Sequence, residues 1–142
     1  MINKLINSIT KQMGDELGSE YRYYVENVEQ RLIRPCFTID VLNPIKRSYS
    51  PNTYHITAPC IIHYFTNHPT TPKADAYAMG EKLLELLEYL KHEGRVLRAE
   101  NMSYTLNEDV LQVLLTYRFY TETVGEEVDE METLDNTGVT TI

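Results

Sequence analysis

Two long segments of alternating apolar and polar residues constrain the fold of this chain more than any other feature. Thr53 to Thr66 and Val110 to Glu122 each place a mainly apolar set on alternate positions. Because side chains of a strand point alternately to opposite faces, both segments are predicted to be long strands with one buried face. Pro59 indicates that part of the first strand lies at a sheet edge or a bulge. One face of the first strand is predicted to carry Tyr54, Ile56, Ala58, Cys60, Ile62 and Tyr64, and the core face of the second to carry Leu111, Val113, Leu115, Tyr117 and Phe119.

A short amphipathic helix is predicted near the start of the sequence. Its apolar residues recur at spacings of three and four, which keeps them on one side of a helix. Gly14 or Gly18 can end it, because glycine adopts the left-handed conformation that closes many helices. The apolar side comprises Ile2, Leu5, Ile6, Ile9 and Met13.

A longer helix is predicted from about Pro72 to Glu93. Thr71 can cap its first turn, and Pro72 suits the first helical position because its missing N–H is not needed there. Gly94 suits a left-handed stop just past the end. The predicted buried stripe comprises Ala76, Met79, Leu83, Leu86, Leu87 and Leu90.

Shorter segments complete the predicted elements. Tyr21 to Val28 and Cys36 to Leu42 are rich in aromatic and β-branched residues and are predicted to be strands. Arg95 to Leu106 is predicted to form a hairpin with the last long strand, turning at Asn107 to Asp109. Asn43 to Asn52 contains two prolines and two serines, which predicts a loop of about ten residues.

The resulting order is helix, three strands, helix and two strands. Hairpins dominate it, and the strand–helix–strand alternation of a nucleotide-binding sheet does not occur. A chain of 142 residues is one ordinary domain. We therefore predict an α+β fold in which two helices flank a mainly antiparallel sheet of about five strands.

The acidic charge is concentrated at the end of the sequence. Val124 to Ile142 contains six acids and no Lys or Arg, whereas the whole chain has a net charge of -8. We predict a domain over residues 1–123 and an acidic tail over residues 124–142 that is flexible or ordered only in an assembly. The tail either solubilises the protein or orders on a basic partner surface.

Composition and motifs argue against several functional classes. The acidic balance disfavours specific nucleic-acid binding, which needs surplus basic side chains. Apolar runs are short and no signal-peptide core is present, so a cytoplasmic protein that does not enter a membrane is expected. The six glycines occur singly, and neither a nucleophile elbow nor a paired-histidine zinc helix is found. We predict no enzyme and no cofactor.

Two cysteines and two nearby histidines form the one conceivable metal cluster. Strand parity places Cys60 on the face opposite to both His55 and His63, which argues against metal binding. Cys36 and Cys60 are therefore predicted to be buried reduced thiols, and a disulfide is disfavoured by the expected compartment.

Tyrosine is unusually abundant, with eleven residues and no tryptophan. Tyr21, Tyr23 and Tyr24 crowd one short predicted strand, so both of its faces must carry aromatic rings. Tyrosine suits a surface that becomes dry on assembly, because the ring buries area while the hydroxyl still finds a partner. A tyrosine-rich core is the alternative interpretation.

The order and spacing of several segments resemble those of one family. Tyr23-Tyr24-Val25-Glu26, Glu29-Gln30 and Arg34-Pro35-Cys36-Phe37 are followed by Ile62-His63-Tyr64-Phe65 and the leucines of the long helix. This pattern resembles the tail terminator proteins of contractile-tailed phages, defective prophages and phage-tail-like bacteriocins of Gram-positive bacteria. The resemblance covers roughly residues 1–122.

The resemblance implies a structural protein with no enzymatic activity and no cofactor. It implies a homohexameric ring on the head-proximal end of the tail tube, which stops the addition of tube and sheath proteins. In phages such a ring also offers a docking surface to a collar or head-connector protein. It would assemble in the bacterial cytoplasm and then become part of the particle. Another neck or tail-completion protein, or a non-enzymatic domain that binds a peptide or small molecule, are the alternatives.

Two groups of residues are candidate assembly contacts. Lys46, Arg47 and Tyr49 lie in the predicted loop, which is longer than the ~2–5 residues of usual hairpin connections and is expected to reach the tube or a neighbouring subunit. A plain surface loop is the alternative. The second group is Tyr21, Tyr23 and Tyr24.

Overall fold

The structure is a computed structural model that describes residues 2–18, 20–25, 33–67, 72–108 and 110–122. Within these residues it contains two helices and eight strands, and the α+β class is confirmed. The elements are α1 (Ile2–Leu17), β1 (Arg22–Tyr24), β2 (Cys36–Val41), β3 (Ile45–Ser50), β4 (Thr53–Phe65), α2 (Pro72–Leu87), β5 (Tyr89–His92), β6 (Arg95–Arg98), β7 (Glu100–Asn107) and β8 (Val110–Glu122).

Six strands form one sheet and two form another. The large sheet has the order β1-β2-β4-β8-β7, and β3 also pairs with β4. Strands β5 and β6 form a separate antiparallel hairpin. The pairs β2–β4, β3–β4 and β7–β8 are antiparallel, whereas β1 and β2 are parallel. The sheet is therefore mainly antiparallel, as predicted, but the expected number of about five strands was too low.

The chain divides into two compact units. The main unit comprises Met1–Pro44 and Ala58–Arg118, and the hairpin unit comprises Ile45–Thr57 and Phe119–Ile142. The described part of the hairpin unit is β3, the start of β4 and the end of β8.

The predicted alternation of the long strands is confirmed by burial. Alternate residues of β4 and β8 are buried, together with one side of α1 and one side of α2. Cys36 and Cys60 are buried free thiols, and burial raises the pKa of Cys60 to about 12. Apolar burial of this kind is the main favourable contribution to folding. Fully buried residues of the main unit include Leu5, Ile9, Met13, Phe37, Ile39, Ile62, Leu83, Leu87, Leu111 and Val113.

Helix α2 ends at Leu87, six residues before the predicted end at Glu93. Two distant side chains bond to its last carbonyl groups. Gln12 Nε2 donates to Leu86 O at 2.8 Å, and Tyr117 Oη donates to Leu87 O at 2.6 Å. Carbonyl groups in the last turn have no partner within the helix, so these two donors can complete the helix end. The prediction was wrong because the capping groups are remote in sequence.

Gly94 belongs to a hairpin turn and does not follow a helix. Glu93 and Gly94 have φ angles of 48° and 79° and join β5 to β6. Two consecutive positive φ angles are typical of the type I′ turn, whose twist matches that of the two strands. Leu90 is buried as predicted, but in β5 instead of in a helix.

The predicted loop over Asn43 to Asn52 contains a strand. Ile45–Ser50 forms β3 and pairs with Thr53–Thr57 of β4, with an irregular register between Ser48 and Ser50. All six residues of β3 are exposed, so the strand has no apolar alternation that sequence could show. Backbone pairing with β4 defines it instead.

Other boundaries differ in smaller ways. The predicted strand over Arg95 to Leu106 is divided into β6 and β7 at Ala99, whose N–H donates to Glu88 O at 2.7 Å. Gly18, with a φ of 90°, follows α1 as predicted. Of the predicted strand over Tyr21 to Val28, residues 21–25 are described, and three of them, Arg22–Tyr24, form β1. The predicted cap Thr71 and the acidic tail lie outside the described residues.

Candidate assembly surfaces

The first group of predicted contact residues lies on β3. Lys46, Arg47 and Tyr49 are exposed, and 70% of the Tyr49 surface is accessible. We call the exposed side chains of β3, together with Tyr54, His55 and Tyr120, the hairpin surface. Among the described residues β3 pairs with β4, and no strand pairs with its outer edge.

Aromatic rings contact one another at steep angles on the hairpin surface. The ring centroids of Tyr49 and Tyr120 are 5.1 Å apart at 66°, and those of His55 and Tyr120 are 4.9 Å apart. Pairs at these distances hold one another in place, because edge-to-face contacts between rings are favourable. Tyr120 is nevertheless 48% exposed. The rings therefore form a platform that is arranged in advance and still open to a partner.

The hairpin surface is basic. Ile45–Thr57 contains Lys46 and Arg47 and no acidic residue. Lys46 Nζ lies 4.1 Å from the centroid of the Tyr54 ring, a cation–π contact that fixes the amine without neutralising it. Within the described residues neither base forms an ion pair, whereas Lys4, Lys11, Arg98 and Arg118 each lie near a carboxylate.

Sequence reasoning missed three members of this surface. Tyr54, His55 and Tyr120 were not predicted contacts, because their proximity depends on strand pairing. Arg47 is the direct cross-strand neighbour of His55, and Ser48 that of Tyr54. The sequence does show which residues of the long strands point away from the core. It does not show which of those residues become neighbours when the strands pair.

The second group of predicted contact residues packs within the main unit. Tyr23 stacks on Phe37 with centroids 5.5 Å apart at 12°, and Tyr21 lies 5.3 Å from Phe37 and 6.2 Å from Tyr64. Burial is the largest cause of the raised pKa values of Tyr21 and Tyr23. Tyr24 Oη accepts a hydrogen bond from Ile33 N at 3.3 Å. These tyrosines thus support the fold, while all three remain partly exposed.

A polar network underlies this aromatic cluster. Tyr64 Oη donates to Asp75 Oδ2 at 2.7 Å, and the Thr66 hydroxyl donates to the same oxygen. Asp75 lies in the first turn of α2, where the helix dipole favours a negative charge. Burial and the Asp75 carboxylate raise the pKa of Tyr64. The network joins β4 to α2 and stabilises the main unit.

One cluster has the residue types of a hydrolase site. Ser8 Oγ lies 2.8 Å from His92 Nδ1, and Glu93 Oε1 lies 3.3 Å from His92 Nε2. Ser8 Oγ also lies 3.0 Å from Lys4 O, its carbonyl partner one turn earlier in α1. The His92 side chain is only 1% exposed, so a substrate cannot reach its ring. The cluster holds the β5–β6 hairpin against α1 and gives no support to nucleophilic catalysis.

The described residues offer neither a metal site nor a membrane-crossing helix. There, no group of three His, Cys, Asp or Glu side chains is placed to bind a metal ion. Neither of the two described helices has the length and apolar content to cross a membrane.

The chain was then compared with known proteins. A family model described as phage tail terminator protein matches residues 4–130. One solved structure aligns over 87% of this chain and 96% of its own, at 10% sequence identity and a TM-score of 0.41. That likeness is too low for any functional argument. A search of curated proteins gave no match.

Proposed function

The chain belongs to the phage tail terminator protein family, and from this premise we propose that it forms a homohexameric ring that caps a contractile tail. The ring sits on the head-proximal end of the tail tube and stops the addition of tube and sheath proteins. The family match over residues 4–130 is the observation that carries this proposal. A structural role in tail completion follows from family membership.

A closed ring follows from the geometry of repeated contacts. One head-to-tail interface, repeated between copies, closes only if its rotation divides the circle. A tube of sixfold symmetry therefore requires six copies of a cap that contacts every tube subunit equally. Rings remove the exposed ends that would otherwise continue to polymerise.

The hairpin surface is the proposed contact with the tube or a neighbouring subunit. It combines an open strand edge, one base on each face of the hairpin and an edge-to-face pair of tyrosines. Aromatic residues and arginine are enriched at the interface positions that contribute most of the binding free energy. An open edge also offers backbone donors and acceptors to another chain. The exposed parts of Tyr21, Tyr23 and Tyr24 are proposed as a secondary contact.

Residues 1–123 are proposed to be sufficient for capping, with the acidic tail as a separate segment. Partners are further copies of the chain, tube and sheath proteins and, where a head is attached, a collar or head-connector protein. The protein would assemble in the bacterial cytoplasm and remain in the finished particle. The role is structural and requires no cofactor.

Tube polymerisation with purified components tests the proposal. Tube protein of the same particle is allowed to extend in the presence and absence of the chain, and tube lengths and ends are imaged by electron microscopy. We expect sixfold rings at one end and arrested growth at that end. Tubes that grow equally at both ends, with the chain monomeric at every concentration, would contradict it.

A further inference from the structure

Two edge strands of the large sheet differ in charge. Strand β7 ends the strand order, and β3 pairs with β4 alone, so among the described residues neither has a strand along its outer side. Ile45–Thr57 carries two bases and no acid, whereas residues 100–108 carry two acids and no base. We propose that the outer edge of β3 in one copy of the chain pairs antiparallel with the outer edge of β7 in the next copy.

The regular parts of the two strands are similar in length. Residues 45–48 of β3 follow β4 in a regular register, and residues 103–107 of β7 follow β8 in the same way. In an antiparallel pair, alternate residues direct their N–H and C=O groups away from the neighbouring strand. Neither β3 nor β7 contains proline, which would remove a donor. Each edge can therefore satisfy the outward backbone groups of the other.

The positions of the charges favour antiparallel pairing. Lys46 and Arg47 lie at the start of β3, and neither forms an ion pair within the described residues. At the start of β7, Glu100 Oε1 lies 3.3 Å from Arg118 Nε. Glu108 is exposed just beyond the end of β7, with no ion pair in the described part of the chain. Antiparallel pairing brings the two bases to Glu108, and opposite charges on adjacent strands are favourable.

The pairing deepens the proposed ring and rests on that proposed function. The two edges differ, so each copy offers one edge of each kind and the contact is head-to-tail. Such a contact can repeat from copy to copy, and a closed ring leaves neither edge unpaired. Exposed ion pairs contribute little to affinity, so the charges select the partner edge and its direction. The occupant of the β3 edge is thus a second copy of the chain.

Exchanging the charges between copies tests the pairing. K46E/R47E makes the β3 edge acidic and T105K/E108K makes the β7 edge basic, so each variant should associate with itself about tenfold more weakly than the unaltered chain. An equal mixture restores opposite charges at every β3–β7 contact and should assemble with the two variants alternating. K73E/K82E, which makes the same change as K46E/R47E at exposed positions of α2, should assemble normally.

Native mass spectrometry counts the copies of each variant in these assemblies, and sedimentation gives the strength of association. Unchanged association of both variants alone, or no recovery in the mixture, would overturn the edge pairing. Circular dichroism of each variant confirms that its fold is intact.

Photo-cross-linking identifies the partner directly, both in solution and on tube ends. Tyr49→p-benzoylphenylalanine should link to residues 103–108 of a different copy, which a mixture of isotopically heavy and light protein distinguishes from a link within one copy. The same group at Tyr89, which is 54% exposed on β5, should not give this link. Links from position 49 only to tube protein, to its own copy or to another surface, or no link at all, would overturn the proposal. Rings that arrest tube growth without this link would leave the proposed function standing, so the two failures are distinguishable.

Discussion

The main unit and the hairpin unit place tyrosine in opposite environments. In the main unit Tyr117 is fully buried and its hydroxyl donates to Leu87 O at 2.6 Å. In the hairpin unit Tyr49 is 70% exposed and its ring lies against Tyr120. In the main unit, tyrosine therefore fills the core and donates a hydrogen bond to a buried carbonyl group. In the hairpin unit, the same side chain lies on an exposed surface.

This difference separates stability from recognition. Buried tyrosines contribute apolar area, and their hydroxyls satisfy backbone groups that would otherwise lack a partner. Exposed tyrosines in edge-to-face contact contribute little to folding, but they lose little side-chain freedom when a partner binds. Substitutions should consequently affect folding in the main unit and assembly in the hairpin unit.

The largest contrast is expected between Phe37→Ala and Tyr49→Ala. Phe37 is fully buried between Tyr23 and Tyr64, so its loss should lower the free energy of unfolding by about 3–5 kcal/mol. Tyr49→Ala should change it by less than about 0.5 kcal/mol, as for most surface positions. Urea unfolding followed by circular dichroism measures both values. Equal losses of unfolding free energy in the two variants would show that tyrosine and its neighbours stabilise both units alike.

A second contrast uses glycines of the two helices. A Cβ atom at Gly80 would lie 2.8 Å from Tyr104 Cδ2, whereas a Cβ atom at Gly14 would have no such neighbour within 4 Å. Gly80→Ala should therefore destabilise the main unit by about 1–3 kcal/mol through overpacking. Gly14→Ala should stabilise it by up to ~1 kcal/mol, because alanine favours helix. Thermal unfolding gives the sign of each change; a stabilising Gly80→Ala would mean that Tyr104 moves without cost.

Removing one hydroxyl in each unit sharpens the comparison. Tyr117→Phe leaves the Leu87 carbonyl without its buried donor and should cost about 1–3 kcal/mol of unfolding free energy. Tyr120→Phe, at a position 48% exposed, should cost close to nothing, because water solvates the hydroxyl before and after folding. Equilibrium unfolding in guanidinium chloride distinguishes the two. A neutral Tyr117→Phe would indicate that another donor reaches Leu87 O.

The smallest expected effect is a dependence on pH. Burial is the largest cause that lowers the pKa of His92 from 6.5, and the Glu93 carboxylate opposes it. The unfolded chain then binds a proton more readily than the folded chain, so stability is complete above pH 6.5 and decreases below it. His63, also lowered by burial, adds to this decrease. The free energy of unfolding, measured between pH 5 and 8, should decrease toward low pH, and it should decrease less steeply in His92→Gln. An equal slope in that variant would exclude His92 as a cause of the pH dependence.

Several elements could be predicted from sequence because their information is local. The alternation in β4 and β8 gave their bounds to within one residue, since each strand buries one whole face. The end of α2 could not be predicted. Leu90 continues a helical spacing from Leu87, and the capping groups of Gln12 and Tyr117 are brought there only by the fold.

The hairpin surface was only partly predictable for the same reason. Lys46, Arg47 and Tyr49 were identified as unusual, but as part of a loop, because β3 buries no side chain. The ring contacts of Tyr120 with Tyr49 and His55 join residues more than sixty positions apart. Sequence patterns report burial within one element, whereas an exposed surface built from three strands has no such pattern.

Capping by the hairpin surface is tested most directly by one paired measurement on two full-length variants. K46Q/R47Q and K73Q/K82Q lose the same charge, the first from β3 and the second from exposed positions of α2. Each is added to growing tail tubes, and the fraction of ringed, arrested ends is counted together with the free energy of unfolding. We expect K46Q/R47Q to lose most capping at unchanged stability, and K73Q/K82Q to cap as the unaltered protein does. Full capping by K46Q/R47Q, or equal losses in both variants, would contradict a role for the hairpin surface.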